Sequence, residues 1–154
     1  MKFSSFGLAP EILQALEQCG YKNMTPVQEQ TMAVARKGKD LMVNAQTGTG
    51  KTAAFALPIL QKLLDNKKAS SQDTKAPRAL ILSPTRELAE QLAGTIGKYA
   101  ENLSFNIVAV YGGVKVTGQA NKLRTGTDIL IATPARLLEH LELNNVSLSQ
   151  VEYL

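Results

Sequence analysis

The sequence has 154 residues, which is enough for one domain with a sizeable hydrophobic core. Its net charge of +4, with 44% hydrophobic and 19% charged residues, is typical of a globular protein and compatible with a nucleic-acid partner. A single cysteine excludes a disulfide framework, and neither a signal-peptide pattern nor an apolar run of membrane-spanning length is present, so we expect a cytoplasmic protein.

Two helices are predicted in the first part of the chain, at about 9–19 and 26–36. The second begins with Thr25-Pro26-Val27-Gln28, whose spacing is that of a capping box with proline at the first helical position. On spacing alone, Gln28 has a structural role at the start of that helix.

The stretch "MVNAQTGTGKTAAF", residues 42–55, joins a predicted strand at 40–48 to a predicted helix at 52–66. Strand, glycine-containing loop and helix are the context of the phosphate-binding pattern G-x-x-x-x-G-K-[ST]. The chain has Ala45 where that pattern has its first glycine. A glycine-rich turn with an incidental lysine is therefore the alternative interpretation.

The residues of this loop suit the binding of phosphate groups. Gly48 and Gly50 lack a Cβ and let the backbone approach a ligand closely. Lys51 follows at the mouth of the helix, where it reaches the β- and γ-phosphates in such loops, and the hydroxyl of Thr52 binds Mg²⁺.

Alternation of strands and helices continues to the end of the chain. Strands buried on both faces are nearly continuous in hydrophobicity, and the order of elements predicts an α/β fold with a parallel sheet and helices on both faces. A polar stretch at 65–77 predicts a surface loop, and "VEYL" at 151–154 predicts the start of a fifth strand. The predicted strands are 40–48, 78–85, 105–113 and 128–135, and the helices between and after them are 52–66, 86–101, about 115–125 and 134–143.

Ligands of parallel sheets bind at the carboxyl ends of the strands, so the residues that follow each strand are informative. Ser83-Pro84 and Thr133-Pro134 each have the pattern of an N-cap followed by proline at the first helical position. Arg86 and Arg136 each lie two residues beyond the proline. Together with Gly112-Gly113, these two helix starts predict a surface that receives phosphates.

With these residues assembled, the chain resembles the DEAD-box family of ATP-dependent RNA helicases over essentially its whole length. In this family the first position of the phosphate loop is usually alanine, as it is at Ala45. At Ala135, by contrast, the family usually has glycine. The overall sequence most resembles those of bacterial members, such as the RhlE-like group. The motifs that carry the resemblance are "GYKNMTPVQ" (20–28, Q motif), "AQTGTGKT" (45–52, motif I), "PTRELAEQ" (84–91, motif Ia), Gly112-Gly113 (GG motif), "TPARL" (133–137, motif Ib) and Phe3, seventeen residues before Gly20.

The resemblance implies a role for each matching position. Gln28 would bind the adenine edge, with Tyr21 stacking on or beside the base and Phe3 supporting that pocket. The residues implied for the phosphates of ATP or ADP are Ala45, Gln46, Thr47, Gly48, Thr49, Gly50, Lys51 and Thr52, with Lys51 and Thr52 as the catalytic pair and Thr52 on Mg²⁺. The residues implied for the RNA backbone, and hence for binding without sequence preference, are Pro84, Thr85, Arg86, Gly112, Gly113, Thr133, Pro134 and Arg136.

The resemblance also implies a domain division, with a helical Q-motif region at 1–37 and the first RecA-like domain at 38–154. That domain is expected to be incomplete, ending before the Walker B strand and its D-E-A-D motif, with a second RecA-like domain beyond it. The chain alone would then bind nucleotide without useful turnover. Two alternatives are a different P-loop NTPase, such as a nucleotide kinase or a DNA-unwinding helicase, and a non-enzymatic, nucleotide-gated RNA-binding module.

Overall fold

A computed structural model of the chain describes residues 1–66 and 75–154. The surface loop predicted at 65–77 lies largely outside the described residues. Those described form two compact units, one made of 1–66 with 98–104 and the other made of 75–97 with 105–154. The division into 1–37 and 38–154 stays a prediction.

The first unit is helical, and its helices begin and end close to the predicted positions. A 3-10 turn at Phe3–Ser5 precedes α1 (Pro10–Gln18), α2 (Pro26–Ala35) and α3 (Lys51–Asp65). Helix α2 starts with the predicted capping box and packs against α3.

Helix α1 ends in a Schellman motif that fixes the start of the Q-motif segment. Gly20 has a φ of +78°, a left-handed conformation that suits glycine. Its N–H donates to the carbonyl of Glu17 at 2.9 Å, and the N–H of Tyr21 donates to the carbonyl of Leu16 at 2.8 Å. The chain therefore turns sharply at Gly20 and presents Tyr21 directly beyond the helix.

The strand predicted at 40–48 is wrong for this structure. Residues 40–46 have no regular secondary structure, and Met42 is fully exposed. Apolar side chains predict burial, but a strand also needs neighbouring strands to accept and donate its backbone hydrogen bonds. No such neighbour pairs with this segment among residues 1–66 and 75–154.

The second unit contains the sheet, whose three strands are all parallel and lie in the order β1-β3-β2. Ala79, Ile129 and Ile107 are in register across it. Tyr153 adds one parallel bridge to Ala79, which is the beginning of the pairing expected for "VEYL". The elements of the unit in chain order are β1 (Ala79–Leu82), α4 (Arg86–Tyr99), β2 (Ile107–Val110), α5 (Val116–Arg124), β3 (Ile129–Ala132) and α6 (Pro134–Glu142).

The central strand β3 is buried along its whole length, as its unbroken hydrophobicity predicts. One face of the sheet carries a core cluster into which α5 contributes Leu123 and α6 contributes Leu137. This packing fixes the start of α6 at the end of β3, where Pro134 is the first helical residue. In the described part of the chain, no helix has the length and apolarity needed to cross a lipid bilayer.

Candidate functional site

The phosphate loop of the first unit leads directly into the amino terminus of α3. Gly48 and Gly50 have φ values of +83° and +86°, so both take the left-handed conformation that glycine accommodates. Gly50 is the N-cap of α3, and Lys51 and Thr52 lie in the first turn. The unpaired N–H groups and the positive end of a 15-residue helix therefore face the loop, which is the arrangement that binds anions.

Two hydrogen bonds close the loop on itself. The ammonium of Lys51 donates to the carbonyl oxygen of Ala45, and the hydroxyl of Thr49 donates to the carbonyl oxygen of Gln46 at 2.7 Å. The side chain of Lys51 thus crosses the loop from its end to its beginning. Thr47 is exposed on the same turn.

The Q-motif residues hold this loop from α2. The side-chain Nε2 of Gln28 donates to the carbonyl of Gly50 at 3.2 Å, and its Oε1 accepts from the backbone N–H of Thr25 at 2.8 Å. The hydroxyl of Thr25 donates to the carbonyl of Thr49 at 2.8 Å. Gln28, only 5% exposed, therefore serves both the capping box and the phosphate loop. The bond from Thr25 was missed in the sequence, because no local pattern indicates a partner 24 residues away.

Gly50 is also required for spatial reasons. A Cβ at this position would lie 2.3 Å from Nε2 of Gln28 and 3.2 Å from its carboxamide carbon. A Cβ at Gly48 would meet nothing within 4 Å. The close approach of α2 to the loop therefore depends on glycine at Gly50 and not at Gly48.

The two aromatic residues of the implied base pocket differ in exposure. Phe3 is buried, and its 3-10 turn is fixed by an antiparallel bridge between Lys2 and Asn23. Tyr21 is 45% exposed, with its ring centroid 6.1 Å from that of Tyr99. Burial, followed by the neighbouring Tyr21, raises the pKa of the Tyr99 phenol.

In the second unit, the residues after β1, β2 and β3 line one pocket with a volume of about 490 Å³, which we call the α4–α6 pocket. Its lining brings together most of the residues that the sequence predicted for phosphates, and adds an acidic residue on α6. The lining residues are Pro84, Arg86, Gly112, Thr133, Ala135, Arg136 and Glu139.

The N-cap of α4 differs from the prediction. Ser83 was expected to cap the helix, but α4 begins at Arg86, and the hydroxyl of Thr85 accepts from the N–H of Leu88 at 3.2 Å. Ser83 is buried and donates instead to the carbonyl of Thr85 at 3.1 Å. Both Ser83 and Thr85 have the short hydroxyl side chain that caps helices, so the sequence alone does not distinguish them.

Arg86 is held in a cluster with two residues that the sequence did not single out. Its guanidinium carbon lies 5.1 Å from the ring centroid of Tyr111, and its Nε donates to Glu90 at 3.2 Å. The phenol of Tyr111 shares a hydrogen bond with the Glu90 carboxylate, which lowers the pKa of Glu90 and raises that of Tyr111. A Cβ on Gly113 would lie 2.9 Å from Nη1 of Arg86, so the absence of a side chain there leaves room for the guanidinium.

Arg136 is more enclosed than Arg86. Its side chain is 11% exposed, whereas that of Arg86 is 49% exposed. Its Nη1 donates to the carbonyl of Val114 and to Oε1 of Gln119, both at 2.9 Å. Its Nε pairs with the carboxylate of Glu139 at 2.9 Å. Most of the hydrogen-bonding capacity of Arg136 is therefore used within the unit.

A buried histidine continues the network of Arg136. His140 is fully buried, with Nε2 at 3.1 Å from Oε1 of Gln119 and Nδ1 at 3.1 Å from Nδ2 of Asn145. Because an amide N–H faces Nδ1 and an amide oxygen faces Nε2, the partners fit a neutral ring protonated at Nε2. Burial, with a smaller contribution from Arg136, lowers the pKa of His140.

Among the described residues, no group of three His, Cys, Asp or Glu side chains is arranged to hold a metal ion. Asp128, the acidic residue nearest to β3, accepts a hydrogen bond from the backbone N–H of Asn106 at 2.7 Å. It therefore has a structural role at the start of the strand.

Comparison with known proteins identifies the same family throughout. The sequence profile of the DEAD/DEAH box helicases matches residues 25–154. DEAD-box ATP-dependent RNA helicase 52A of Oryza sativa is 42% identical over 99% of this chain and 27% of its own length. ATP-dependent RNA helicase CshA of Listeria monocytogenes is 40% identical over 99% of this chain and 28% of its own. For ATP-dependent RNA helicase DeaD of Buchnera aphidicola, the values are 42%, 100% and 25%.

Solved structures agree with the sequence relatives. A hypothetical ATP-dependent RNA helicase from Sulfolobus tokodaii superimposes with a TM-score of 0.81 at 36% identity, over 94% of this chain and 40% of its own. RNA helicase Prp28 from Chaetomium thermophilum, bound to ADP, gives 0.84 at 38% identity, over 97% of this chain and 36% of its own. The chain thus spans about a quarter of its three named sequence relatives and well under half of either structure.

Proposed function

Because the chain belongs to the DEAD/DEAH box helicase family, we propose that it forms the ATP-binding part of an ATP-dependent RNA helicase, which couples ATP hydrolysis to unwinding of RNA duplexes. The observation that carries the proposal is the hydrogen bond from Gln28 to the carbonyl of Gly50, which joins a base-reading side chain to a phosphate loop. A nucleotide kinase or a DNA-unwinding helicase would have no use for Gln28 and Tyr21 together. Assignment to the RhlE-like group stays a prediction.

We propose that the nucleotide is ATP or ADP, held at both of its ends. The carboxamide of Gln28 has one N–H and one oxygen lone pair beyond the two bonds it makes, and these match the donor and acceptor of the adenine N6/N7 edge. Tyr21 supplies an exposed ring beside the base, and Phe3 supports the segment from below. The similar Prp28 structure from Chaetomium thermophilum is bound to ADP, which supports this choice.

The phosphates would lie on the loop from Ala45 to Thr52. Gly48 and Gly50 allow close approach of the backbone, and a Cβ on Gly50 would fill the space that Gln28 now takes. Lys51 would exchange its bond to Ala45 for a phosphate oxygen. Gln46, Thr47 and Thr49 complete the turn.

A magnesium ion is part of the proposal, with the hydroxyl of Thr52 as its ligand from this chain. Bound Mg²⁺ would neutralise charge on the phosphates. Since the described residues hold no acidic cluster, hydrolysis is proposed for the whole protein, with a second RecA-like domain. We expect the present chain to bind nucleotide with little turnover, and we propose a cytoplasmic location.

We propose that the α4–α6 pocket binds the RNA backbone without reading its sequence. Arg86 is the exposed cation, and the starts of α4 and α6 supply N–H groups for phosphate oxygens. Arg136 lines the same pocket and chiefly holds its shape. The remaining residues proposed for contact are Pro84, Thr85, Gly112, Gly113, Thr133 and Pro134.

Calorimetry with ADP and GDP tests the proposal. We expect the chain to prefer ADP clearly, and Lys51→Ala to weaken both nucleotides alike, because the lysine would contact the phosphates of the nucleotide and not its base. Equal affinity for the two bases would contradict the role of Gln28 in base recognition. Binding of RNA without any nucleotide affinity would favour a simple RNA-binding module instead.

A further inference from the structure

Gln119 is a buried residue of α5 whose amide nitrogen and amide oxygen both bind neighbouring residues. Its Nε2 donates to the carbonyl of Tyr111 at 3.0 Å. Its Oε1 accepts a hydrogen bond from Nη1 of Arg136 at 2.9 Å and lies 3.1 Å from Nε2 of His140. With 6% of its surface exposed, Gln119 joins α5, α6 and the segment after β2.

The segment from Tyr111 to Val114, which we call the Tyr111–Val114 loop, is bonded at both ends by this network. Gln119 binds the carbonyl of Tyr111, and Arg136, itself bonded to Gln119, binds the carbonyl of Val114 at 2.9 Å. Between the two carbonyls lie Gly112 and Gly113, whose lack of side chains leaves many backbone conformations open. The bonds from Gln119 and Arg136 therefore restrict the backbone of a loop whose two glycines restrict it little.

The position of this loop matters for the α4–α6 pocket. Gly112 lines the pocket, and the ring of Tyr111 lies under the guanidinium of Arg86. Any shift of the loop would move the surface on which Arg86 stacks. An anion-binding surface is stronger when its donors are fixed before the ligand arrives.

We infer that Gln119 is a positioning residue for RNA binding, which fixes the Tyr111–Val114 loop and the Arg136 guanidinium in one arrangement without contacting RNA itself. The inference rests on the proposed function of the α4–α6 pocket. It assigns a role to a residue outside every motif that carried the family resemblance. The bond donated to Tyr111 holds the loop directly, and the bond that Oε1 accepts from Arg136 holds Val114 through that guanidinium.

The test compares Gln119→Met, which keeps the size of the side chain and removes its hydrogen bonds, with Leu123→Ala. Leu123 lies in the same helix and in the core, and its apolar side chain makes none of the hydrogen bonds of the loop, so its truncation destabilises the unit and leaves those bonds in place. Gln119→Glu is the second variant, because it keeps an acceptor for Arg136 and loses the donor to Tyr111. The measurements are amide hydrogen exchange at Gly112 and Gly113, binding of a short oligouridylate, and binding of ADP.

We expect both Gln119 variants to speed exchange at the two glycines and to weaken oligouridylate binding by about tenfold, the effect of roughly one hydrogen bond to a fixed partner. Affinity for ADP should change less than about twofold on the same scale. Leu123→Ala should leave exchange at Gly112 and RNA affinity unchanged. Equal RNA losses in Leu123→Ala, or unchanged exchange in Gln119→Met and Gln119→Glu, would overturn the inference.

Arg86→Ala separates this inference from the function on which it rests. If Arg86→Ala weakens oligouridylate binding and the Gln119 variants do not, the pocket binds RNA and only the positioning role is wrong. If the unsubstituted chain and Arg86→Ala bind RNA equally, the proposed RNA surface is wrong and the positioning role is overturned with it. Faster exchange in the Gln119 variants would then still establish what holds the loop.

Discussion

Gln28 donates a hydrogen bond from Nε2 to the carbonyl of Gly50, 3.2 Å away and 22 residues further along the chain. The starts of α2 and α3 thus share one buried side chain. A change at the end that would contact the base also changes the end that would contact the phosphates. Substitutions here should therefore alter nucleotide affinity in ways that depend on which end they touch.

Gln28→Ala should weaken ADP more than GDP, because it removes a base contact as well as the bond to Gly50. Thr25→Val is the control, since it removes the bond from the threonine hydroxyl to Thr49 and the capping-box bond that this hydroxyl accepts from the backbone N–H of Gln28, but no base contact, and it should weaken both nucleotides alike. Each lost bond is worth about 1 kcal/mol, or roughly fivefold in affinity. Calorimetry measures the four affinities, and an equal loss of ADP and GDP in Gln28→Ala would contradict base recognition.

Gly50→Ala should destabilise the chain more than Gly48→Ala. Both residues have φ near +85°, where an alanine costs about 1–2 kcal/mol. Only at Gly50 would the new Cβ also collide with Gln28, which adds about 1–3 kcal/mol of overpacking. Urea unfolding gives the two free energies, and adding Gln28→Ala should relieve part of the loss in Gly50→Ala alone.

Arg86→Ala and Arg136→Ala should differ in how they affect RNA binding. For single strands, the logarithm of affinity falls with the logarithm of salt by roughly 0.7 per phosphate neutralised. Arg86, half exposed, should account for about one such contact, so Arg86→Ala flattens the slope by about that amount. Arg136→Ala should instead lower the free energy of unfolding by about 1–3 kcal/mol, because it removes the hydrogen bonds that join α6 to Val114 and to the buried Gln119. The opposite result would be that Arg136→Ala flattens the salt dependence of RNA binding and leaves the free energy of unfolding unchanged. That result would reverse the roles given to Arg86 and Arg136.

The free energy of unfolding should fall as the pH is lowered from about 7 to about 5. The pKa of His140 is lowered in the folded chain, so below the ordinary value of about 6.5 the unfolded chain binds the extra proton more readily. The stabilisation is complete above that value and is lost as the pH falls towards the folded pKa. The slope cannot exceed about 1.4 kcal/mol per pH unit for one group.

The measurement for His140 is unusually clean, because it is the only histidine of the sequence. Urea unfolding across this range should show a slope that His140→Gln removes. The imidazole resonances should also titrate below the ordinary pKa. An imidazole that titrates at its ordinary value would contradict the buried, neutral ring.

The helices could be predicted from the sequence because their signals are local. Proline at the first position of α1, α2 and α6, and glycine after α1, mark helix ends through the backbone conformations that those residues prefer. The lead of the loop at 45–52 into α3 was predicted for the same reason, since its glycines, lysine and threonine are contiguous, and its binding of phosphate stays a prediction. In each case, the residues that determine the structure are neighbours in the sequence.

The features that sequence reasoning missed depend on distant partners. The segment 40–46 has the side chains of a strand, but strand formation depends on neighbours that its own sequence does not specify. Gln119 and Glu90 are ordinary polar residues of helix patterns, and only the fold shows that they bind Tyr111 and its surroundings. Gln119 lies outside every motif that carried the resemblance, and Glu90, although within the motif at 84–91, was given no role by it.

The bond between Lys51 and the carbonyl of Ala45 makes phosphate a competitor of the protein's own backbone. If Lys51 leaves that carbonyl to reach an oxygen of the ligand, as proposed above, the net gain is the difference between the two contacts. Removal of the lysine abolishes both contacts, and the affinity lost in Lys51→Ala therefore understates the strength of the lysine–phosphate contact. The ammonium of Lys51 thus has two alternative acceptors, the carbonyl of Ala45 and a phosphate oxygen. With the first acceptor the loop closes on itself, and with the second it closes around an anion.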